Sequence, residues 1–208
     1  MFISFEGIDF CGKSTQISLL ESALSKAGKE IIIIREPGGT VISEQVRTIL
    51  LDKKNSGMIS KAEMLLFSAS RAQLVEEKII PCLKKGFYVI SDRFYDSTTA
   101  YQGYGRGINC NFVESLNAFA AGKAIPDITF FLDIPVELAI KRQKENAAEL
   151  DRIESSTEEF YNRVRAGYKK IAEREKRIVT LDGAISINEL HRQILSKVES
   201  YIAKNENK

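Results

Sequence analysis

The sequence predicts an α/β fold, a three-layer sandwich around a central five-stranded parallel sheet, and three observations lead there. Short runs of β-branched and aromatic residues alternate with longer amphipathic stretches along the whole chain. The short runs are almost continuously apolar, which is the pattern of strands buried on both faces. The first of them leads into a glycine-rich loop and then a helical pattern.

In chain order the predicted strands are residues 2–5, 30–35, 87–91, 128–132 and 177–181. Helical patterns cover 14–27, 61–85, 111–121, 158–175 and 187–204. No internal repeat, low-complexity tract or Pro/Gly-rich linker divides the chain, so one domain over residues 1–208 is expected. Two stretches break the regularity. Residues 36–40 (EPGGT) form a turn cluster at the carboxyl end of the second strand, where open α/β sheets bind ligands. Residues 141–150 (KRQKENAAEL) are polar and charged, and by composition alone they read as a solvated helix end.

Composition bounds the partners. A chain of 208 residues buries a substantial single core, and 44% hydrophobic with 28% charged residues is ordinary for a soluble domain. Thirty Lys and Arg against 28 Asp and Glu leave a net charge of +2, which gives no reason to expect a nucleic-acid polymer. A locally basic site for a small acidic molecule stays open. Cys11, Cys82 and Cys110 show neither disulfide nor metal spacing, and His191 is the sole histidine, so a reducing compartment without a zinc site is expected. With no secretory pattern at Met1 and apolar runs as short as 31–34, a cytoplasmic protein without a membrane partner is expected.

The chemistry begins at Gly7-Ile8-Asp9-Phe10-Cys11-Gly12-Lys13-Ser14, which matches G-x-x-x-x-G-K-[ST] between a predicted strand and a predicted helix. Glycines let backbone N–H groups turn inward around phosphates, and the amino end of the following helix adds roughly half a positive charge. Lys13 supplies a mobile full charge for the β- and γ-phosphates of a nucleotide. Ser14 is the expected magnesium ligand, and Thr15 is placed to reach the α-phosphate. Asp9 is a costly carboxylate in such a loop unless it faces a sugar hydroxyl on a second substrate; a turn-capping role is equally open.

Asp92 and Arg93 end the third predicted strand side by side. An apolar strand followed by Asp is the general form of the second magnesium-supporting residue in nucleotide-binding folds. Arg93 is placed to stabilise charge moving between donor and acceptor phosphates; as a plain ion pair the two residues are worth little. No serine or histidine nucleophile constellation is present, which suits phosphoryl transfer, where positioning and charge stabilisation dominate.

At this point the chain resembles the bacterial-type thymidylate kinases over almost its whole length, in the P-loop NTPase class. The resemblance rests on FEGIDFCGKSTQ (5–16), REPGGT (35–40), AEMLLFSASRAQ (62–73), SDRFYDSTTAYQGYGRG (91–107) and LDRIE (150–154). It implies ATP and Mg2+ as cofactors, dTMP as acceptor and a short mobile lid over about 141–150. By resemblance, Phe67 stacks on thymine and Arg71 hydrogen-bonds its O4. Gln102, with Ser97 and Thr98, lines the base and its N3 edge. Tyr101 excludes a ribose hydroxyl, Asp9 binds the 3′-hydroxyl, and Arg93 holds the acceptor phosphate, with Glu36 and Pro37 at the rim. Glu154 joins Ser14 and Asp92 near the metal, with Arg152 as a secondary candidate at the acceptor phosphate. The family also implies a homodimer. Adenine is expected near residues 182–184.

Departures from the family pattern matter as well. Phe94 stands where the family has Tyr, Phe10-Cys11 replace small loop residues, and the loop carries no arginine. In the family that form goes with lid arginines; here the lid offers Lys141, Arg142 and Lys144, with Asn146 and Ala147 where more arginine is common. Arg142 is the candidate for transition-state charge. Another nucleotide or deoxynucleoside kinase is the alternative of the same architecture. A GTP-binding regulatory switch is the alternative of another class, and the missing Asn-Lys-x-Asp motif counts against it.

Overall fold

The computed structural model describes residues 1–146 and 150–206. All five predicted strands are present: β1 (Phe2–Glu6), β2 (Ile31–Arg35), β3 (Tyr88–Asp92), β4 (Ile128–Asp133) and β5 (Ile178–Asp182). They form one parallel sheet in the order β2-β3-β1-β4-β5. β1 lies between β3 and β4, so successive connections leave it toward opposite sheet edges. The crevice this opens at the carboxyl ends of the strands is where such folds bind ligands.

Every residue of β1 is buried. Its side chains alternate between the faces, as the twofold period of a strand demands: Ile3 and Phe5 join one core cluster with Leu20, Phe130 and Val164, while Phe2 joins another with Leu74, Val89 and Phe94. Each such side chain contributes about 1.5–3 kcal/mol of burial, so the strand that feeds the glycine loop is among the most firmly held parts of the molecule.

The helices are α1 (Lys13–Lys26), α2 (Val41–Leu51), α3 (Ser60–Leu74), α4 (Ile80–Lys84), α5 (Tyr95–Thr98), α6 (Cys110–Ala121), α7 (Val136–Asn146), α8 (Glu158–Arg174) and α9 (Ile187–Glu206). The single helix expected over 61–85 is α3 and α4 joined by a π-helical segment, Val75–Ile79. Three helical pieces lie outside the expected set. α2 is capped by Thr40, whose hydroxyl accepts from Ser43 N at 3.2 Å; it buries Leu50 but leaves Val41, Ile42 and Ile49 exposed, so its apolar residues are split between inward and outward faces. α5 runs into a second π-helical segment, Thr99–Gly105, through Asp, Ser, Thr and Gly residues that favour turns. α7 carries residues 141–146 of the expected lid as continuous helix; Ala147 lies outside the described residues.

α8 packs closely on the Thr99–Gly105 segment. A Cβ on Gly167 would sit 2.7 Å from the Tyr104 ring, and one on Gly105 would sit 2.7 Å from Phe160. Two glycines therefore set the distance between two elements that both reach the crevice. Gly167→Ala should destabilise the protein by about 1–3 kcal/mol from overpacking, despite the better helix propensity of Ala. Urea unfolding monitored by circular dichroism measures this, and an unchanged or raised midpoint would contradict the close approach.

Candidate active site

The glycine loop leaves β1 after Glu6 and ends at Gly12, which caps α1 with φ 101° and without a side-chain hydrogen bond. No acidic residue occupies the first turn, so the positive end of α1 faces the crevice uncompensated. Gly7 (φ 140°) is required for close approach: a Cβ there would lie 2.7 Å from both Cys11 Sγ and Leu132 O. Cys11 turns its side chain into the core, while Phe10 adopts φ 62° and stands on the crevice wall. Lys13 folds back over the loop, its Nζ donating to Gly7 O (3.3 Å) and Ile8 O (3.2 Å). Ser14 Oγ donates to Asp92 Oδ2 at 3.5 Å.

A cleft of about 840 Å³ occupies the crevice. Asp9, Phe10, Cys11, Gly12, Lys13, Ser14 and Thr15 line it from the loop, with Glu36, Pro37, Phe67, Arg71, Asp92, Arg93, Ser97, Thr98, Tyr101, Gln102, Arg142 and Glu154 from the other elements. Of the loop residues expected at the site, Gly7 and Ile8 stay behind the wall, as carbonyl acceptors for Lys13.

Arg93 is the hub. Its backbone has φ 70°, rare for a residue with a side chain. Its Nη2 meets Asp9 Oδ1 at 2.5 Å and Tyr101 OH at 3.1 Å. Its Nη1 faces Gly7 O (2.8 Å), Ser97 Oγ (3.2 Å) and Tyr168 OH (3.2 Å). Asp9 Oδ2 accepts from Tyr101 (3.1 Å) and Tyr161 (3.0 Å). Burial pushes the Asp9 carboxyl up, but Arg93 and Lys13 outweigh it and hold it below the usual carboxylate range. Burial raises the Tyr101, Tyr161 and Tyr168 hydroxyls, which keeps them protonated as donors.

A second buried cation shapes the wall beyond Phe67. Arg71 is 1% exposed and pairs with Glu36 Oε2 at 2.6 Å. Its Nη1 donates to Asn117 Oδ1 (3.1 Å) and its Nη2 to Thr98 Oγ1 (2.9 Å), and Phe94 lies beneath the guanidinium, 5.5 Å from ring centre to Cζ. Burial outweighs Arg71 and raises the Glu36 carboxyl. Five guanidinium hydrogens face four directed contacts here, which leaves one Nη1 hydrogen for a ligand. Phe94, the departure from the family's tyrosine, is completely buried and packs edge-on against Phe2 with centroids 5.0 Å apart.

Gln102 donates to the buried carboxylate of Glu63 at 2.9 Å, which Arg106 (3.1 Å) and Arg152 (2.7 Å) also bind. Arg152 is therefore turned to Glu63 and is absent from the cleft wall, against its expected place at the acceptor phosphate. Glu154 does line the cleft; burial raises its carboxyl, which accepts from Asp151 N at 3.0 Å. Among the described residues no three His, Cys, Asp or Glu side chains converge as a metal site. That suits Mg2+, which is held by one or two protein oxygens together with water and phosphate, and the Ser14–Asp92 pair offers such oxygens.

Arg142 reaches the cleft from α7, donating to Phe10 O (3.2 Å) and Gly183 O (3.1 Å). Ile185, Ile187 and Leu190 line the cleft too, as do Glu145 and Asn146 of α7. Lys141 and Lys144 are exposed and off the wall. Several wall and support residues escaped the sequence reading. Arg47 lines the cleft and donates to Pro37 O at 2.8 Å; Tyr161, Tyr168 and Glu6 stand around the Arg93 hub. The tyrosines carried a faint signal, since Tyr161 and Tyr168 are seven residues apart on one face of a predicted helix.

With this geometry in hand, the comparisons with known proteins agree on one family. A family model described as thymidylate kinase matches residues 5–194. The chain is 49% identical to a thymidylate kinase of Chlorobaculum parvum over 96% of both chains. It is 47% identical to that of Kosmotoga olearia over 95% of this chain and 94% of the relative. The solved thymidylate kinase of Ehrlichia chaffeensis superposes with a TM-score of 0.77 at 36% identity, covering 96% of this chain and 98% of that one. The family model, the relatives and the solved structure thus point the same way, and the chain belongs to the thymidylate kinase family.

Proposed function

We propose that the protein transfers the γ-phosphoryl group of ATP to dTMP, yielding dTDP, as one kinase domain in the cytoplasm. The observation that carries this reading is the recess beside the phosphate loop, where Phe67 offers a ring face and buried Arg71 keeps one donor in hand. The loop backbone from Gly7 to Thr15, with Lys13, holds the ATP phosphates. Ser14 and Asp92, with Glu154 nearby, would hold Mg2+, which would supply positive charge to the phosphates. The acceptor phosphate of dTMP is already ionised, so its oxygen needs no base. Arg93 holds that phosphate, Asp9 takes the 3′-hydroxyl, and Tyr101 crowds the 2′ side of the sugar. Thr98 and Gln102 border the base edge, with Glu36 and Pro37 behind it; Ser97, committed to Arg93, contributes less to the base.

An Arg71 donor facing O4 accepts thymine or uracil and opposes the amino group of cytosine, a mismatch that leaves buried donors facing each other. The 5-methyl group is worth only about 1–3 kcal/mol. ADP release measured with dTMP, dUMP, dCMP, AMP and thymidine should rank dTMP first, dUMP lower by that margin and dCMP far below both. Turnover of dCMP close to that of dTMP would refute the role of Arg71.

Arg142 favours the donor side. Its contacts with the loop and with Gly183 suit the adenosine end of ATP better than the moving phosphoryl group. Arg142→Ala should therefore raise KM for ATP more than it lowers kcat. The reverse split would return this residue to the transition-state role expected from the sequence.

A homodimer completes the reading. α2 packs on α3 and α3 on α6, and together they expose Val41, Ile42, Ile49, Leu65, Phe112 and Phe119, more apolar surface than scattered residues explain. Sedimentation velocity should return a dimer, and replacing Phe119, 83% exposed, by Asp should shift it to monomer. A strict monomer at all concentrations would exclude the pairing.

A further inference from the structure

We propose that Glu6 is the positioning residue for Arg93: its carboxylate, at the end of β1, fixes the guanidinium through the hydroxyls of Ser97 and Tyr168 and through the Phe94 amide. This rests on the reading of Arg93 as the clamp on the acceptor phosphate.

Three donors converge on Glu6. Phe94 N donates to Oε1 at 2.7 Å, and Ser97 Oγ and Tyr168 OH donate to Oε2 at 2.6 and 2.8 Å. The same two hydroxyl oxygens accept from Arg93 Nη1, each at 3.2 Å. Ser97 Oγ and Tyr168 OH also lie 2.8 Å from each other, so the two hydroxyls and the carboxylate form one hydrogen-bonded group. With Glu6 as the acceptor behind them, their protons turn away from Arg93 and leave lone pairs facing its Nη1. Glutamine at this place would set an amide NH2 against one of the three donors and break one branch.

The backbone is held from the same side. Arg93 keeps φ 70° while its N–H donates to Phe5 O at 3.0 Å and the next N–H is bound by Glu6. Such a conformation persists where its surroundings over-determine it, and it clusters at functional sites. Glu6 itself is costly to keep. Burial and the neighbouring carboxylate of Asp96, itself paired with Arg177 at 2.7 Å, push its pKa up to about 7 against the opposing pull of Ser97, Arg93 and Tyr168. A buried carboxyl so placed contributes no net stability by its charge; what it supplies is direction to the hydroxyls.

Calorimetric binding of dTMP and of thymidine to Glu6→Gln, Tyr168→Phe and Arg93→Ala separates the possibilities. Glu6→Gln and Tyr168→Phe should each weaken dTMP about tenfold, the scale of one lost charge-assisted bond, and leave thymidine, which lacks the phosphate, within about twofold. Equal weakening of both ligands, or unchanged dTMP affinity in both variants while Arg93→Ala weakens it, would overturn the proposal. Unchanged dTMP affinity in Arg93→Ala would instead refute the phosphate-clamp reading. Turnover supplies an arm free of that reading: Glu6→Gln should lower kcat in the wild-type background and add almost nothing in the Arg93→Lys background, whereas additive losses refute action through Arg93. If Glu6→Gln does not fold, Tyr168→Phe, which removes one oxygen only, carries the same comparisons.

Discussion

The contact between Arg93 and Asp9 gathers the site from separate parts of the chain. Asp9 belongs to the phosphate loop, Arg93 follows β3, Tyr101 comes from the π-helical segment after α5, and Tyr161 and Tyr168 come from α8. None of these side chains could keep its orientation alone. A cation with four terminal N–H groups, set among a carboxylate, a carbonyl and three hydroxyls, orders all of them at once. The glycine loop and the end of β3 are held together at the cleft by this one cluster, because Asp9 and Arg93 are bonded to each other.

Charge is buried at two further points, and both serve shape more than stability. The Arg71–Glu36 pair is almost inaccessible to water, as is Glu63, which Arg152 and the more open Arg106 bind. Desolvation offsets much of what such pairs gain, so apolar replacements could be as stable. An apolar recess, however, could not tell a carbonyl from an amino group at the far end of a pyrimidine. Glu63 also joins Gln102, on the cleft wall, to Arg152, in the chain that returns after α7.

Much of this was legible in the sequence. The five strands were visible as apolar runs because a parallel sheet buries both faces, and the phosphate loop because its glycines, lysine and serine are dictated by backbone geometry and charge. What stayed hidden has a common cause. α2 turns Val41, Ile42 and Ile49 outward, the Thr99–Gly105 segment is built from turn-favouring residues, and π-helical turns follow no period that a 3.6-residue pattern detects. Glu6 looks like an ordinary strand end and Tyr168 like an ordinary buried position within a helix; only the tertiary placement of α8 beside Glu6 and α5 makes them partners of Arg93. The expected lid is similar: its charged composition read as a solvated helix end, but the pattern gave no sign of the helix α7 that carries residues 141–146, nor of which wall Arg142 would join.

The uncapped start of α1 has a thermodynamic consequence. With Gly12 at its amino end and no acidic side chain in the first turn, the helix lacks an internal partner for its first N–H groups. A bound phosphate chain supplies that partner, so the nucleotide finishes a piece of secondary structure as well as filling a site. Ligand binding of this kind adds directly to the free energy of the folded chain, in proportion to the logarithm of ligand over its dissociation constant. The resistance of the protein to unfolding is thereby coupled to the nucleotide supply of its surroundings.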